Sequence, residues 1–254
     1  MNFRFPQKLN KTLSFTLGVG IVISVGVSAP RPASAIPLQD LIIPGIRYFE
    51  LYNLSTKDKI ALGREIDEQV RNHYKVSSNA YVTRVGQRVA SASDCSQIPF
   101  KFYVVQDKSI NAFSTTGGYV YVNTGLLQAV DNEDQLAAVL GHEIGHICNN
   151  DLVNKLRQTQ LVQGVVSLAG LSRSQLAALA YKVAVDLPNS REAEFNADAK
   201  GLEYITRAGY DPKAMPAFLR KLLNQPSVPT FLSDHPGARE RIAVLEKKIA
   251  SSRR

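Results

Sequence analysis

Sulfur and imidazole ligands are scarce in this chain: two cysteines and four histidines among 254 residues. Cys95 and Cys148 belong to no CxxC pair, which makes both poor metal ligands and excludes a thiolate zinc cluster. They can form one disulfide, joining the start of a sheet to the end of a helix, or remain two buried thiols. Long apolar runs are also few. Within Asp151 to Leu187 the longest uncharged run, Gln158 to Ser172, is too short to cross a bilayer. No internal repeat and no low-complexity segment is present. Real basicity is scarce too. The net charge is +8, but residues 1–35 carry Arg4, Lys8, Lys11 and Arg31 and no acid, so the rest of the chain holds +4. That mild excess gives no reason to invoke nucleic acid.

The amino terminus reads as an export label. A positive region is followed by the uncharged, mostly apolar stretch Leu13 to Ala29 and by the small-x-small site Ala33-Ser34-Ala35. Residues 1–35 are therefore expected to be a signal peptide, and residues 36–254 one mature domain able to bury a single core. Retention as an uncleaved anchor is the competing reading. No Cys lies near the cleavage site to carry a lipid, and no adjacent Arg pair marks a twin-arginine signal. Export leads to a periplasm or an equivalent extracytoplasmic lumen. The apolar stretch Ile36 to Phe49, broken by Pro37, Pro44 and Gly45, suits an arm packed on the domain or a peripheral contact with a membrane surface.

Against this background one motif stands out, His142-Glu143-Ile144-Gly145-His146. Four residues along a helix is about 400° of rotation, so both imidazoles lie on one face about 6 Å apart and can converge on one zinc ion. Glu143 projects about 100° away, where it can hold a water rather than the metal. The flanks carry a helical signal: Asn132 and Gln135 as a capping-box start, then Leu136, Ala137, Val139 and Leu140. Gly141 and Gly145 weaken a helix by about 1 kcal/mol each relative to Ala, and their smallness admits another backbone close to the metal face. The bland alternative is a helix with two solvated histidines.

The remaining elements are short. Helices are expected at Asp58–Tyr74, ending near His73, and at Asn79–Ala92. Three strands follow, at Lys101–Val105, Ile110–Ser114 and Tyr119–Val122, the last two joined by a turn with Gly117 and Gly118. A short helix at Leu126–Val130 precedes the metal helix. Asp151 to Leu187 reads as two helices, either a lid over the active-site side or ordinary core helices. Helices then run from Ser190 to Arg207, from Asp211-Pro212 to Leu223, and after His235-Pro236 to the end. The architecture is α+β, mostly helical, with a small three-stranded sheet before the motif helix.

A zinc hydrolase needs a third protein ligand. Six residues after His146 stands Leu152, with Asn149 midway, so the metzincin pattern is excluded. Glu194 and Asp198 share a helical face, and one can bind zinc while the other accepts the outer N–H of a ligating His. Glu192, with Asn196 at its +4 position, is the weaker choice. A solvated charged face is the alternative.

Four motifs in order resemble those of gluzincin-type metallopeptidases, the group of CAAX prenyl proteases, the heat-shock membrane protease HtpX and soluble proteases that assist barrel assembly. They are Asn111-Ala112-Phe113 followed by Gly117-Gly118, His142-Glu143-x-x-His146, Glu194-x-x-Ala197-Asp198, and His235-Pro236 followed by Glu240-Arg241-Ile242. The likeness runs from about Asp58 to Leu245. It implies a zincin-like fold, one zinc ion per subunit on His142, His146 and Glu194, and Asp198 beside them. Thr116 stands where the family often has Pro, and neither multiple membrane helices nor a tetratricopeptide extension is present. The resemblance also sets His235 at the cleft, as an oxyanion donor or as an extra ligand in a resting state. A cap on the last helix is the plainer role. Asn111, Ala112 and Phe113 are expected on a sheet edge where an unfolded or extended substrate adds as a strand. Glu143 is the expected general base. Three functions follow from this: an exported zinc endopeptidase in protein quality control, a chaperone-like binding protein with structural zinc, and a protease inhibited by its own lid.

Overall fold

The computed structural model describes residues 54–162 and 172–252. The expected signal peptide, the apolar stretch Ile36–Phe49 and residues 163–171 lie outside the described residues. Helix α1 (Thr56–His73) starts at a capping box in which Ser55 and Asp58 satisfy each other's backbone N–H groups. Strand β1 (Val76–Ser77) and helix α2 (Ala80–Ser91), capped by Asn79, come next. Then follow β2 (Lys101–Val105), β3 (Ala112–Ser114), a single 3-10 turn at Thr116–Gly118, and β4 (Tyr119–Asn123). Helices α3 (Thr124–Ala129), α4 (Glu133–Cys148), α5 (Asp151–Val162) and α6 (Arg173–Asp186) precede α7 (Arg191–Arg207). The last three are α8 (Ala214–Leu223), α9 (Thr230–Asp234) and α10 (Ala238–Ser251).

The domain is mostly helical α+β and zincin-like, but its sheet has four strands, ordered β1-β2-β4-β3. The strand missing from the sequence reading is β1, whose Val76 and Ser77 pair antiparallel with Val105 and Val104. Two residues carry no readable period. Strands β2 and β4 run parallel and β3 runs antiparallel to β4, leaving β3 at one edge.

Both faces of the sheet are buried, and alternate side chains enter two separate cores. Phe102, Val104, Ala112, Val120 and Val122 join α2, α4, α7, α8 and α10 in the larger core. Val105, Phe113, Tyr119 and Tyr121 pack on the other side with Leu62, Ile66 and Val70 of α1 and Leu176, Ala177, Ala180 and Val183 of α6. Helix α6 is thus an ordinary core helix rather than a lid. No helix among the described residues is long and apolar enough to cross a membrane.

Helix α4 runs through the middle and is buried from Gln135 to Ile147. Its cap is as expected, Asn132 Oδ1 accepting from Gln135 N at 2.9 Å, but the Gln135 side chain turns to the backbone N–H of Asp131. Its far end is tied down covalently: Cys95 and Cys148 form a disulfide with Cα atoms 5.7 Å apart, which removes the free-thiol alternative. The two glycines of the motif helix meet α7. A Cβ on Gly145 would stand 2.7 Å from Ala197 O, and one on Gly201 would stand 2.8 Å from His142 N. No side chain fits between these backbones, and that contact is what carries the face of α7 to the metal helix.

Candidate metal centre

Four side chains from three places in the chain converge. His142 and His146 come from α4, Glu194 from the first turns of α7, and His235 from the end of α9. One ligand atom of each lies within 4.8 Å of all the others, and all four side chains are buried. His142 Nε2 is 3.0 Å from His146 Nε2 and 3.1 Å from His235 Nδ1. Glu194 Oε1 is 3.1 Å from His235 Nδ1 and 3.3 Å from His146 Nε2, and Glu194 Oε2 is 3.3 Å from His142 Nε2.

The outer nitrogen of each ring explains the inner one. His142 Nδ1 donates to Asp198 Oδ1 at 2.9 Å and His146 Nδ1 donates to Asp151 Oδ2 at 2.7 Å. His235 Nε2 faces Ala112 O at 3.3 Å. Those bonds assign the ring protons outward, so three bare lone pairs and a carboxylate point at one another. Such an arrangement is repulsive without a cation. A tetrahedron with bonds of about 2.0–2.1 Å has edges of about 3.3 Å, close to the observed separations. Nitrogen and oxygen donors in this geometry suit zinc.

Charge points the same way. Glu143, Glu194 and Asp198 are 1%, 0% and 3% exposed, and they face a single buried guanidinium, that of Arg241, which is 1% exposed. Two negative charges are left over, the amount a divalent cation cancels. Burial would push the rings down, but the Glu194 charge together with the hydrogen bonds to Asp198 and Asp151 outweighs it, raising His142 and bringing His146 up to about 10. Burial would likewise raise Glu194, yet His235, His142 and His146 hold it well below the usual carboxylate range. Asp198 is also lowered, burial being outweighed by Arg241. Without metal, protons on the rings fill the deficit.

Glu143 differs from the other acids. Both its oxygens are buried with no hydrogen-bond partner among the described residues, and its nearest cation-capable atom is His235 Nε2 at 3.5 Å. A buried carboxylate with no protein hydrogen-bond partner among the described residues, beside a metal-shaped cluster, is the arrangement a water-activating base requires.

Residues 77–249 match the model of Peptidase family M48. The chain belongs to peptidase family M48. It is therefore a metallopeptidase by family as well as by its histidine and carboxylate constellation. Relatives include the "Beta-barrel assembly-enhancing protease" of Yersinia pestis, 30% identical over 247 residues covering 87% of this chain and 50% of that protein. The protein of the same name in Escherichia coli (strain K12) is 33% identical over 64% of this chain and 37% of its own length. The "Mitochondrial metalloendopeptidase OMA1" of Schizosaccharomyces pombe is 33% identical over 66% of this chain and 52% of its own. This M48 chain thus spans about half, or less, of the relatives it matches.

Within the M48 domain, Asp198 stands beside His142 as the spacing implied. Glu192 is exposed. His235 aims a ring nitrogen at the cluster in the manner of a fourth donor, not of an N–H waiting for substrate. The three edge-strand residues divide. Ala112 offers its carbonyl to His235, Asn111 Nδ2 donates to Asp234 Oδ2 at 2.8 Å, and the Phe113 side chain stacks on Tyr121 in the second core. His73 ends α1, bonded to Gln69 O and stacked on Tyr181.

Four residues of the site carried no readable signal. Arg241 donates to both Asp198 oxygens at 2.7 Å, lies 2.6 Å from Glu194 Oε2, and reaches His235 O at 3.1 Å. Asp151 holds His146. Asn189 donates to Glu194 Oε1, and Lys155 donates to Asn189; burial lowers Lys155 to about 8. Only Arg241 sat in a motif, and nothing there indicated that it faced inward.

Proposed function

We propose that this M48 chain is an exported zinc endopeptidase that hydrolyses peptide bonds in unfolded or extended protein segments. His142, His146 and Glu194 would hold the zinc. When bound, the metal supplies Lewis acidity, making water nucleophilic near neutral pH and polarising the scissile carbonyl. Glu143 takes the proton from the attacking water and returns it to the departing amine nitrogen. Asp198 and Asp151 keep the two motif rings in the tautomer that leaves Nε2 free. The observation that carries this reading is the buried Glu143 carboxylate, without a protein hydrogen-bond partner among the described residues, beside four convergent donors.

One feature favours a second reading. His235 supplies a fourth protein donor, and closed four-ligand sets are typical of structural zinc. A binding protein with structural zinc would use that set, but it would have no need for a buried Glu143. We therefore read the His235 geometry as a resting state. The segment ending in His235 also lies along the free edge of β3: Phe231 N donates to Ile110 O at 3.0 Å, Asp234 takes Asn111, and His235 takes Ala112 O. A substrate strand at Asn111–Phe113 has to displace it, which suits loose sequence selectivity and flexible substrates. Two of these relatives have names that speak of barrel assembly; for this chain the proposed substrate is a protein in an unfolded or misassembled state. Export follows from the amino-terminal pattern.

The test is casein cleavage by the chain starting at Ile36, by Glu143→Gln and by His235→Ala. Glu143→Gln is expected to abolish turnover and His235→Ala to raise it. Equal residual cleavage by the parent and Glu143→Gln would leave the zinc-stabilised binding protein as the answer.

A further inference from the structure

Glu194 is approached at both oxygens, by groups that differ in origin. At Oε2 the Arg241 guanidinium stands 2.6 Å away as an ion-pair partner. At Oε1 the donor is Asn189 Nδ2, at 2.9 Å, which also lies 3.3 Å from His146 Nε2. Local chain geometry brings Asn189 there. Ser190 caps α7, so Asn189 is the residue before the cap and Glu194 the fourth residue of the helix. Side chains at those two positions meet across a helix start; in most helices the pair is apolar and fixes the angle at which the chain enters. Here the pair is polar, and one member is a candidate metal ligand.

An amide can face either way, and Lys155 decides which. An ammonium group only donates, so the Asn189 atom 3.1 Å from Lys155 Nζ is the oxygen, and the NH2 group turns to Glu194. Lys155 is itself held by Leu187 O, and the Asn189 backbone N–H donates to Asp234 O at 2.9 Å. Lys155 stands one helical turn after Asp151 on α5, so a single helix supports His146 directly and Glu194 through Asn189. Asp151 and Lys155 carry opposite charges, so together they add no net charge to the deficit at the cluster.

We propose that Lys155 and Asn189 are positioning residues of the metal centre, Lys155 locking the Asn189 amide and the amide fixing Glu194 in its ligating pose. This rests on the metal-centre reading above. The test is zinc affinity, measured by competition with a chromophoric chelator. The proteins are the chain from Ile36, Lys155→Met, Asn189→Ala, the double variant and Lys155→Arg, with thermal unfolding of each in the metal-free state. Each single loss is expected to weaken zinc about tenfold or more. The double variant should be no weaker than the singles, because Lys155 acts through Asn189. Lys155→Arg, which keeps only donors, should stay near the parent. Lys155→Met removes a half-buried charge, so its metal-free unfolding midpoint should not fall. A purely structural role would instead lower midpoint and affinity together. Affinities within about twofold of the parent, additive losses, or losses that follow a falling midpoint would overturn the proposal. A parent that binds no zinc would take down the metal-centre reading with it, whereas a zinc-binding parent with indifferent variants sinks the positioning role alone.

Discussion

Replacing Arg241 with Met isolates the group that holds the site's carboxylates. The substitution keeps side-chain length and apolar stem but deletes the guanidinium. Asp198 loses two bonds of 2.7 Å, Glu194 loses its 2.6 Å neighbour, and His235 O loses a donor at 3.1 Å. Removing one partner of a buried ion pair costs about 3–5 kcal/mol, because the other charge stays buried and uncompensated. In a domain of this size each kcal/mol moves the midpoint by about 2–4 °C, so a fall of about 6–20 °C is expected. Zinc should soften the loss, since a cation still neutralises Glu194 and leaves Asp198 as the principal orphan. Urea unfolding of parent and variant, metal-free and zinc-loaded at pH 7.5, reads all of this. Adding Asp198→Asn to Arg241→Met removes the stranded charge and should recover part of the stability. A loss below about 1 kcal/mol, or a double variant weaker than Arg241→Met, would refute the claim that this guanidinium neutralises the carboxylates.

The Cys95–Cys148 bond closes a 53-residue separation, so Cys95→Ser with Cys148→Ser should destabilise by about 4 kcal/mol in the chain-entropy account, read by denaturant unfolding with and without reductant. Zinc binding should release protons at neutral pH, because His142 and His146 are raised when metal-free and must be neutral to ligate. Apparent affinity should therefore climb with pH, about tenfold per unit for each proton displaced, up to the metal-free value of about 10 at His146; a flat profile between pH 7 and 9 would contradict it. Lys155 titrates in the opposite sense. Its folded pKa, about 8, is below the ordinary lysine value of 10.5, so the unfolded chain binds more protons and stability should rise between those pH values by up to about 3 kcal/mol. Unfolding at pH 7.5 and 10 should show that rise in the parent and lose it in Lys155→Met.

Some of the site could be read along the chain because its periodicity is local. The spacing of His142 and His146, and of Glu194 and Asp198, is one helical turn, and a helix turns it into a shared face without help from the rest of the molecule. The cap at Asn132 was legible for the same reason. Strand β1 was not, since two residues show no alternation. The division of Asp151–Leu187 between lid and core was also not legible: apolar residues on α6 fit either surface until α1 is seen to receive them. Arg241 reads as one more charge in a final helix, and its burial depends on Asp198 and Glu194 arriving from 43 and 47 residues upstream.

Residue chemistry at helical spacing determined that this chain would build a two-histidine metal helix with an acid beside the first ring and a carboxylate partner helix. Tertiary packing alone decided the rest: that α4 and α7 approach through Gly145 and Gly201 closely enough to close the cluster, that His235 turns inward as a fourth donor, and that Asp151, Asn189, Lys155 and Arg241 balance and hold the ligands. Periodicity is a property of neighbours in sequence. Charge compensation in a buried site is a property of neighbours in space, and no pattern along the chain records it.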